Sequence, residues 1–423
     1  MTQEFNTADL PKATLHEHIE GTVTPEMAEK LAQRHHVKLP ENFVMKDGEY
    51  NKSDFPNGRY AYDESDFWAF INTYDTVADL MRTPQDYYDV TKDYLSKNAA
   101  EGGVYAELIV SPMHMATEVN PETGKAELSA PRYHAMLDAM TRAVDEVKEE
   151  TGLETRFIAT GVRNLGAENV TEVAKFVRYN PHPLVTGFGI AGNERAGEFK
   201  DFAEALSIAK SAGLKLAVHA GEIRGPESIR DAVNLGASRI GHGVSAPQDP
   251  ALVKELAEKN IMVEVCPTSN RILVTDLKGD LANHPARKLY DAGVRISINP
   301  DDGGIFGTRT GKEHRISAKE FGFSKAEMLD ITLCAVENSF ADVKTRKQIK
   351  ENVYKTMTAD DRKEMKELAD NAKNPYLKQR LETRVVESEK VAKKMEIQQR
   401  RTKTMNAMRA SRMALFAKQA HNR

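Results

Sequence analysis

The sequence predicts an α/β protein: a (β/α)8 TIM barrel with a helical insertion after its first strand and a C-terminal helical extension. Three observations predict it. Eight short apolar runs recur between residues 13 and 299. Amphipathic segments with i, i+3, i+4 apolar spacing separate most of them. Polar side chains able to do chemistry gather at the ends of those runs, and a closed barrel brings strand ends to one rim. Strands alternating with helices argue for a parallel sheet, and about eight such units close a ring.

The first strand is expected at 13–18, Ala-Thr-Leu-His-Glu-His. A polar loop from Asp47 to Gly58 and aromatic helical material around Phe67-Trp68 and Tyr87-Tyr88 interrupt the rhythm over 41–100. That stretch is expected as helices inserted over the barrel mouth. The second strand follows at 104–110 and the third at 155–162, with the amphipathic segment Leu137 to Val147 between them. The fourth lies at 184–190 and the fifth at 215–220, separated by Phe202 to Ala212. The sixth is at 238–242, then the segment Leu252 to Ala257, the seventh at 261–265 and the eighth at 294–299. An open doubly wound sheet would usually carry a Gly-rich phosphate turn after its first strand. Ile19-Glu20-Gly21 is not that turn.

From about residue 340 strands give way to helices, expected at 359–372 and 377–419 with a break at Asn374-Pro375. The expected division is a barrel over 1–345 and a basic helical extension over 346–423. That extension carries ten Lys and Arg from Lys390 to Arg423 against the single acid Glu396. It reads foremost as a solvated helix packed on the barrel or another subunit. The second reading is an arm for an anionic partner such as nucleic acid.

Composition bounds the rest. With 40% hydrophobic and 29% charged residues and a net charge of -4, the chain is of ordinary globular type. No apolar run approaches membrane-spanning length, so no membrane partner is expected. The start, Met1-Thr2-Gln3-Glu4-Phe5, lacks the basic and apolar regions of a signal peptide. Two cysteines, Cys266 and Cys334, form no disulfide framework. The expected compartment is the cytoplasm. The oligomeric state is left open.

His16-Glu17-His18 places two imidazoles on one side of a strand end. His219 ends the fifth strand, Glu222 follows in its loop, His242 ends the sixth, and Asp301-Asp302 follows the eighth. Three histidines and one carboxylate make a shell that suits zinc and also accepts other imidazole-tolerant divalent ions. Such an ion makes a water nucleophilic near neutral pH. Glu222, offset from His219, is free to face a substrate as a proton donor. Spacing leaves His242 open between ligand and neighbouring group. Each motif alone has a plainer reading: a core histidine, or an Asp-Asp-Gly-Gly turn. Their joint placement at strand ends argues for a metal site.

These residues resemble the adenosine/adenine deaminase family of barrel metallohydrolases. The matching motifs are Leu10-Pro11-Lys12 leading into His16 to Gly21, Val218 to Glu222, Ile240 to Gly243, Glu264 to Asn270 and Ser297 to Asp302. The resemblance spans about 10–335. It implies one zinc per chain on His16, His18, His219 and Asp301. It also implies that His242 and Asp301 activate the water that attacks C6 of a purine, while Glu222 protonates N1. Asp302 would meet N7 and the Gly192 backbone N3. His18 and Glu20 would be further substrate contacts, Glu20 at the position that meets the ribose.

Two departures bear on the substrate. Many adenosine-acting members carry Asp at the position of Glu20, and often Asp at that of Gly189. The segment Gly187 to Glu194 is otherwise closer to the adenosine type. The substrates expected are adenosine and 2′-deoxyadenosine with water, releasing ammonia. Adenine or another 6-aminopurine is the alternative. A dinuclear amidohydrolase would need a lysine at the end of the fourth strand, where Gly189 to Gly192 stands. A purine-binding protein without activity would not need the whole metal and acid set.

Overall fold

The structure is a computed structural model that describes residues 6–46, 58–64 and 66–421, and the side chains of Ala407 and of residues 410–421 are outside the description. The loop expected from Asp47 to Gly58 falls almost wholly outside the described residues. Eight parallel strands follow one another around the sheet in sequence order. They are β1 (Lys12–Thr14), β2 (Gly103–Val110), β3 (Glu154–Val162), β4 (Val185–Ala191), β5 (Lys215–Ala220), β6 (Arg239–His242), β7 (Met262–Val265) and β8 (Arg295–Ile298). Helices such as Ala130–Thr151, Ala167–Tyr179 and Pro226–Asn234 return the chain between strands. Their buried faces join the strands in one apolar core.

β1 is shorter than the sequence suggests. Its ladder with β2 stops at Thr14, and on its other edge, the seam with β8, the Asn299 side chain bonds the next two residues. Asn299 Oδ1 accepts from the backbone N–H of Leu15 at 2.8 Å and of His16 at 3.2 Å. Beyond it the seam closes through His18 N–H on Asp301 O at 2.8 Å and Asp301 N–H on His16 O at 3.1 Å. Thus His16 and His18 stand just past the strand, fixed by backbone bonds on both sides. This closure brings the first and last strands together at the rim.

The expected insertion over 41–100 resolves into two parts. Phe67–Ala78 crosses the mouth of the barrel, and Pro84–Ala100 packs along Ala130–Thr151 as an outer helix of the first strand–helix unit. Asp66 caps the first of these by accepting from Trp68 N–H. A reciprocal Thr83–Asp86 capping box starts the second.

The expected boundary at residue 345 falls inside one helix, Val343–Thr356. Ile349, Val353, Met365, Leu381 and Val391 belong to the same apolar core as the barrel. The break at Asn374-Pro375 has a local cause. Asn374 Oδ1 accepts from Tyr376 N–H at 2.9 Å and Leu377 N–H at 3.2 Å, and Pro375 occupies the first turn where its missing N–H costs nothing. The long helix Pro375–His421 is anchored by buried ion pairs. Asp330 accepts from Arg380 Nε and Arg384 Nε, each at 3.0 Å, and Arg384 also meets Glu337 at 2.6 Å. From Lys393 onward nearly every described side chain is exposed, including Arg400, Arg401 and Lys403. Among the described residues no helix is long and apolar enough to cross a membrane.

Candidate active site

The rim closure gathers His16, His18, His219 and Asp301, all buried, with one ligand atom from each lying within 4.8 Å of the others. His219 Nε2 is 3.1 Å from His16 Nε2 and 3.2 Å from His18 Nε2. Asp301 Oδ1 is 3.1 Å from His16 Nε2 and 3.6 Å from His18 Nε2. Ligands on a tetrahedral ion with bonds of ~2.0–2.1 Å stand roughly 3.3 Å apart. The spacing and the N3O donor set therefore fit zinc, and all four residues expected as ligands are brought together.

The tautomer of His16 supports the same assignment. Its Nδ1 lies 2.8 Å from Glu264 Oε2, so Nδ1 carries the hydrogen and Nε2 keeps its lone pair for the metal. Glu264 is balanced on its other side by buried Arg239, whose Nε lies 2.6 Å from Glu264 Oε1. Sequence reasoning gave Glu264 no role. The available signal was an acid in the apolar run Ile-Met-Val-Glu-Val, which must be paired if buried.

Glu222 leaves the shell and faces the cavity. Glu194, also without an assigned role, shapes its loop. One carboxylate accepts from the backbone N–H groups of Gly221 at 2.6 Å, Glu222 at 3.0 Å, Ile223 at 2.8 Å and Arg224 at 2.9 Å. Ser228 Oγ adds a further short hydrogen bond. Glu222 Oε1 is buried with no hydrogen-bond partner, as is Asp302 Oδ1. Burial, and then the carboxylates of Asp301 and Glu194, push the Glu222 carboxyl well above the usual range. Burial and the Asp301 carboxylate do the same to Asp302. Both acids are thus biased toward the protonated, donating form.

A cavity of about 440 Å³ joins these groups. His18, His219, Glu222, His242, Asp301 and Asp302 line its inner end, and Phe67, Phe70, Tyr74 and Leu273 wall its outer part. Among the described residues no lysine or arginine lines it. Gly192 lines it too, with φ +95°, and a Cβ there would approach Asn164 Oδ1 to 2.8 Å. Gly21 is required beside Asp302, where a Cβ would fall 1.9 Å from Asp302 Oδ1.

Glu20 is the exception among the expected contacts. It is fully buried and absent from the cavity wall. Its Oε2 accepts from Tyr74 Oη at 2.9 Å and its Oε1 from Ser111 N–H at 3.3 Å. Glu20 therefore stands behind Tyr74, whose ring meets that of His18 edge-on with centroids 6.2 Å apart. His114, in the short helix Pro112–Ala116 that follows β2, also lines the cavity and has a buried, unpartnered Nδ1. It too escaped the sequence reading; its signal was its place just past a strand end, in Ser111-Pro112-Met113-His114.

The family model described as adenosine deaminase matches residues 11–356. Among curated relatives, an adenine deaminase of Sinorhizobium fredii is 40% identical over 344 residues, covering 81% of this chain and 98% of the relative. An adenine deaminase of Agrobacterium fabrum is 39% identical over the same length and shares. Among solved structures, an adenine deaminase from Arthrobacter aurescens superposes with a TM-score of 0.70 at 26% identity, covering 82% of this chain and 98% of that one. The match leaves the basic helix after residue 356 outside it. Carrying this barrel, this cluster and this match over most of its length, the chain belongs to the adenosine deaminase family.

Proposed function

We propose that the protein is a zinc-dependent adenine deaminase, converting adenine and water to hypoxanthine and ammonia in cytoplasmic purine salvage. The observation that carries this reading is the pair of buried carboxyls, Glu222 and Asp302, each with one oxygen that has no hydrogen-bond partner, facing one cavity with the metal cluster. A purine ring offers two acceptors at the matching positions, N1 and N7, on either side of C6.

The expectation of adenosine gives way to the alternative, adenine. Relatives named adenine deaminase support the change. So does Glu20, which is turned away from the cavity to hold Tyr74. A base held at N1 by Glu222 and at N7 by Asp302 directs N9 toward the Asp302 side. There the Glu20–Thr22 turn carries Gly21 against Asp302, and the helix Phe67–Ala78 packs on that turn with Tyr74. Tyr74 thereby narrows the space a sugar would need. Among the described residues no lysine or arginine lines the wall, which leaves a 5′-phosphate without the cationic fork it usually meets.

Zinc on the four ligands would supply the Lewis acid that makes a water nucleophilic near neutral pH. Glu222 gives its proton to N1, so electrons from the attacked C6 settle on the ring. Asp302 donates to N7 and Gly192 aligns the N3 edge through its backbone. The proton lost by the water passes to Asp301 and on to the amine as the C6–N6 bond breaks. The remaining hydroxyl proton returns to Glu222 as hypoxanthine forms with its new N1–H.

Parallel kinetics with adenine, adenosine and AMP test the substrate. Adenine is expected to lead adenosine in kcat/KM by about 100-fold or more, roughly the 3 kcal/mol of one poorly accommodated group. Equal or better turnover of adenosine would overturn this reading in favour of a nucleoside deaminase. Tyr74→Ala is expected to raise the adenosine-to-adenine ratio of kcat/KM by about tenfold, because it removes the ring that crowds N9. An unchanged ratio would take that role from Tyr74.

A further inference from the structure

His242 has a left-handed backbone, φ 66°, and a buried ring. Which of its nitrogens carries hydrogen decides whether it donates or accepts toward the cavity. A chain of hydrogen bonds behind it settles the choice. The backbone N–H of Ala286 donates to His284 Nδ1 at 3.1 Å. A backbone N–H can only donate, so Nδ1 accepts and a neutral His284 carries its hydrogen on Nε2. His284 Nε2 lies 3.1 Å from Asn270 Oδ1, which can only accept. The Asn270 amide is thereby oriented, with Nδ2 3.0 Å from His242 Nδ1. An amide nitrogen only donates, so His242 Nδ1 accepts and its hydrogen is on Nε2.

The reverse arrangement fails at its far end. A flipped Asn270 would require His284 to accept at both nitrogens, which a neutral imidazole with one N–H cannot do. Charging His284 would forfeit the bond from Ala286. His284 is buried and stacked on Phe321 with ring centroids 5.0 Å apart, and burial holds its pKa down to about 3.

We infer that Asn270 and His284 are positioning residues that hold His242 as an Nε2–H donor toward the reacting oxygen. His242 Nε2 is on the cavity side, 3.8 Å from Glu222 Oε2, while Nδ1 is occupied from behind. His242 accordingly stabilises charge on that oxygen and does not remove its proton, a narrower role than the water activation first expected of it. The identity of the oxygen rests on the deaminase reading; the tautomer does not.

The test pairs nitrogen-15 spectroscopy of histidine-labelled, zinc-loaded protein with kinetics, His242 being assigned by its loss in His242→Ala. Wild type is expected to show a protonated Nε2 and a bare Nδ1. Asn270→Asp accepts from both neighbours, so the two nitrogens of His242 should exchange states. Its kcat for adenine should fall by about 10²–10³-fold, the cost of a lost oxyanion donor, with KM within about threefold of wild type. Nδ1–H in wild type, or unchanged kcat in Asn270→Asp, would overturn the inference. His284→Phe keeps the stack on Phe321 and removes the donor, and so covers the case in which Asn270→Asp does not fold. It should give mixed tautomers at His242 and a kcat lowered about tenfold. A purely Nε2–H His242 in that variant would also overturn it. A wild type with Nε2–H but no turnover of adenine would defeat the deaminase reading and leave the tautomer assignment standing.

Discussion

Glu222→Gln is expected to keep its zinc and lose kcat by about 10²–10⁴-fold, the range for removing a general acid. The side chain keeps its size, and the Glu194 bonds that shape the loop go to backbone N–H groups, which the substitution leaves in place. What changes is the proton. Burial and the carboxylates of Asp301 and Glu194 favour the protonated acid, and an amide cannot deliver a proton to N1. KM should move little, since an amide N–H still donates a hydrogen bond to N1 in the ground state. Steady-state kinetics with metal analysis reads both quantities. Loss of zinc would make Glu222 part of the shell; retention of kcat would move the acid elsewhere.

His219→Ala is expected to lose zinc and activity together. His219 Nε2 stands 3.1 Å and 3.2 Å from the other two imidazoles, so its removal takes away one of four donors and opens the shell toward the cavity. A Lewis acid contributes several kcal/mol to hydrolysis of this kind, so kcat should drop by on the order of 10³ or more. Zinc per chain after dialysis should fall from one toward zero. Wild-type zinc content in this variant would contradict the ligand set, whatever the kinetics.

Much of this arrangement was legible in the sequence because the chemistry recurs at strand ends. Each of His16, His18, His219, His242 and Asp301 follows a short apolar run, and a ring of parallel strands turns those separate positions into one rim. Periodicity could not show how the ring closes. The seam with β8 depends on one side chain, Asn299, which bonds the backbone N–H groups of Leu15 and His16 where a strand ladder would stand. Nor could residue type alone place Glu20. The family resemblance implies that Glu20 contacts the substrate, and only the packing of Phe67–Ala78 across the mouth turns it toward Tyr74. Glu194 and Glu264 escaped notice for a related reason: their partners are backbone N–H groups in one case and a buried histidine and arginine in the other, all distant in sequence. The C-terminal helix was read as basic and broken at Asn374-Pro375. Its anchor, Arg380 and Arg384 on Asp330, pairs residues about fifty positions apart and leaves no local pattern.

The most direct measurement is the product formed from adenine in oxygen-18 water by the zinc-loaded protein. Hydrolytic deamination predicts hypoxanthine carrying one heavy oxygen at C6, with an equal amount of ammonia, and no turnover once a chelator has stripped the metal. Unchanged adenine from fully loaded protein, or product without the label, would contradict it.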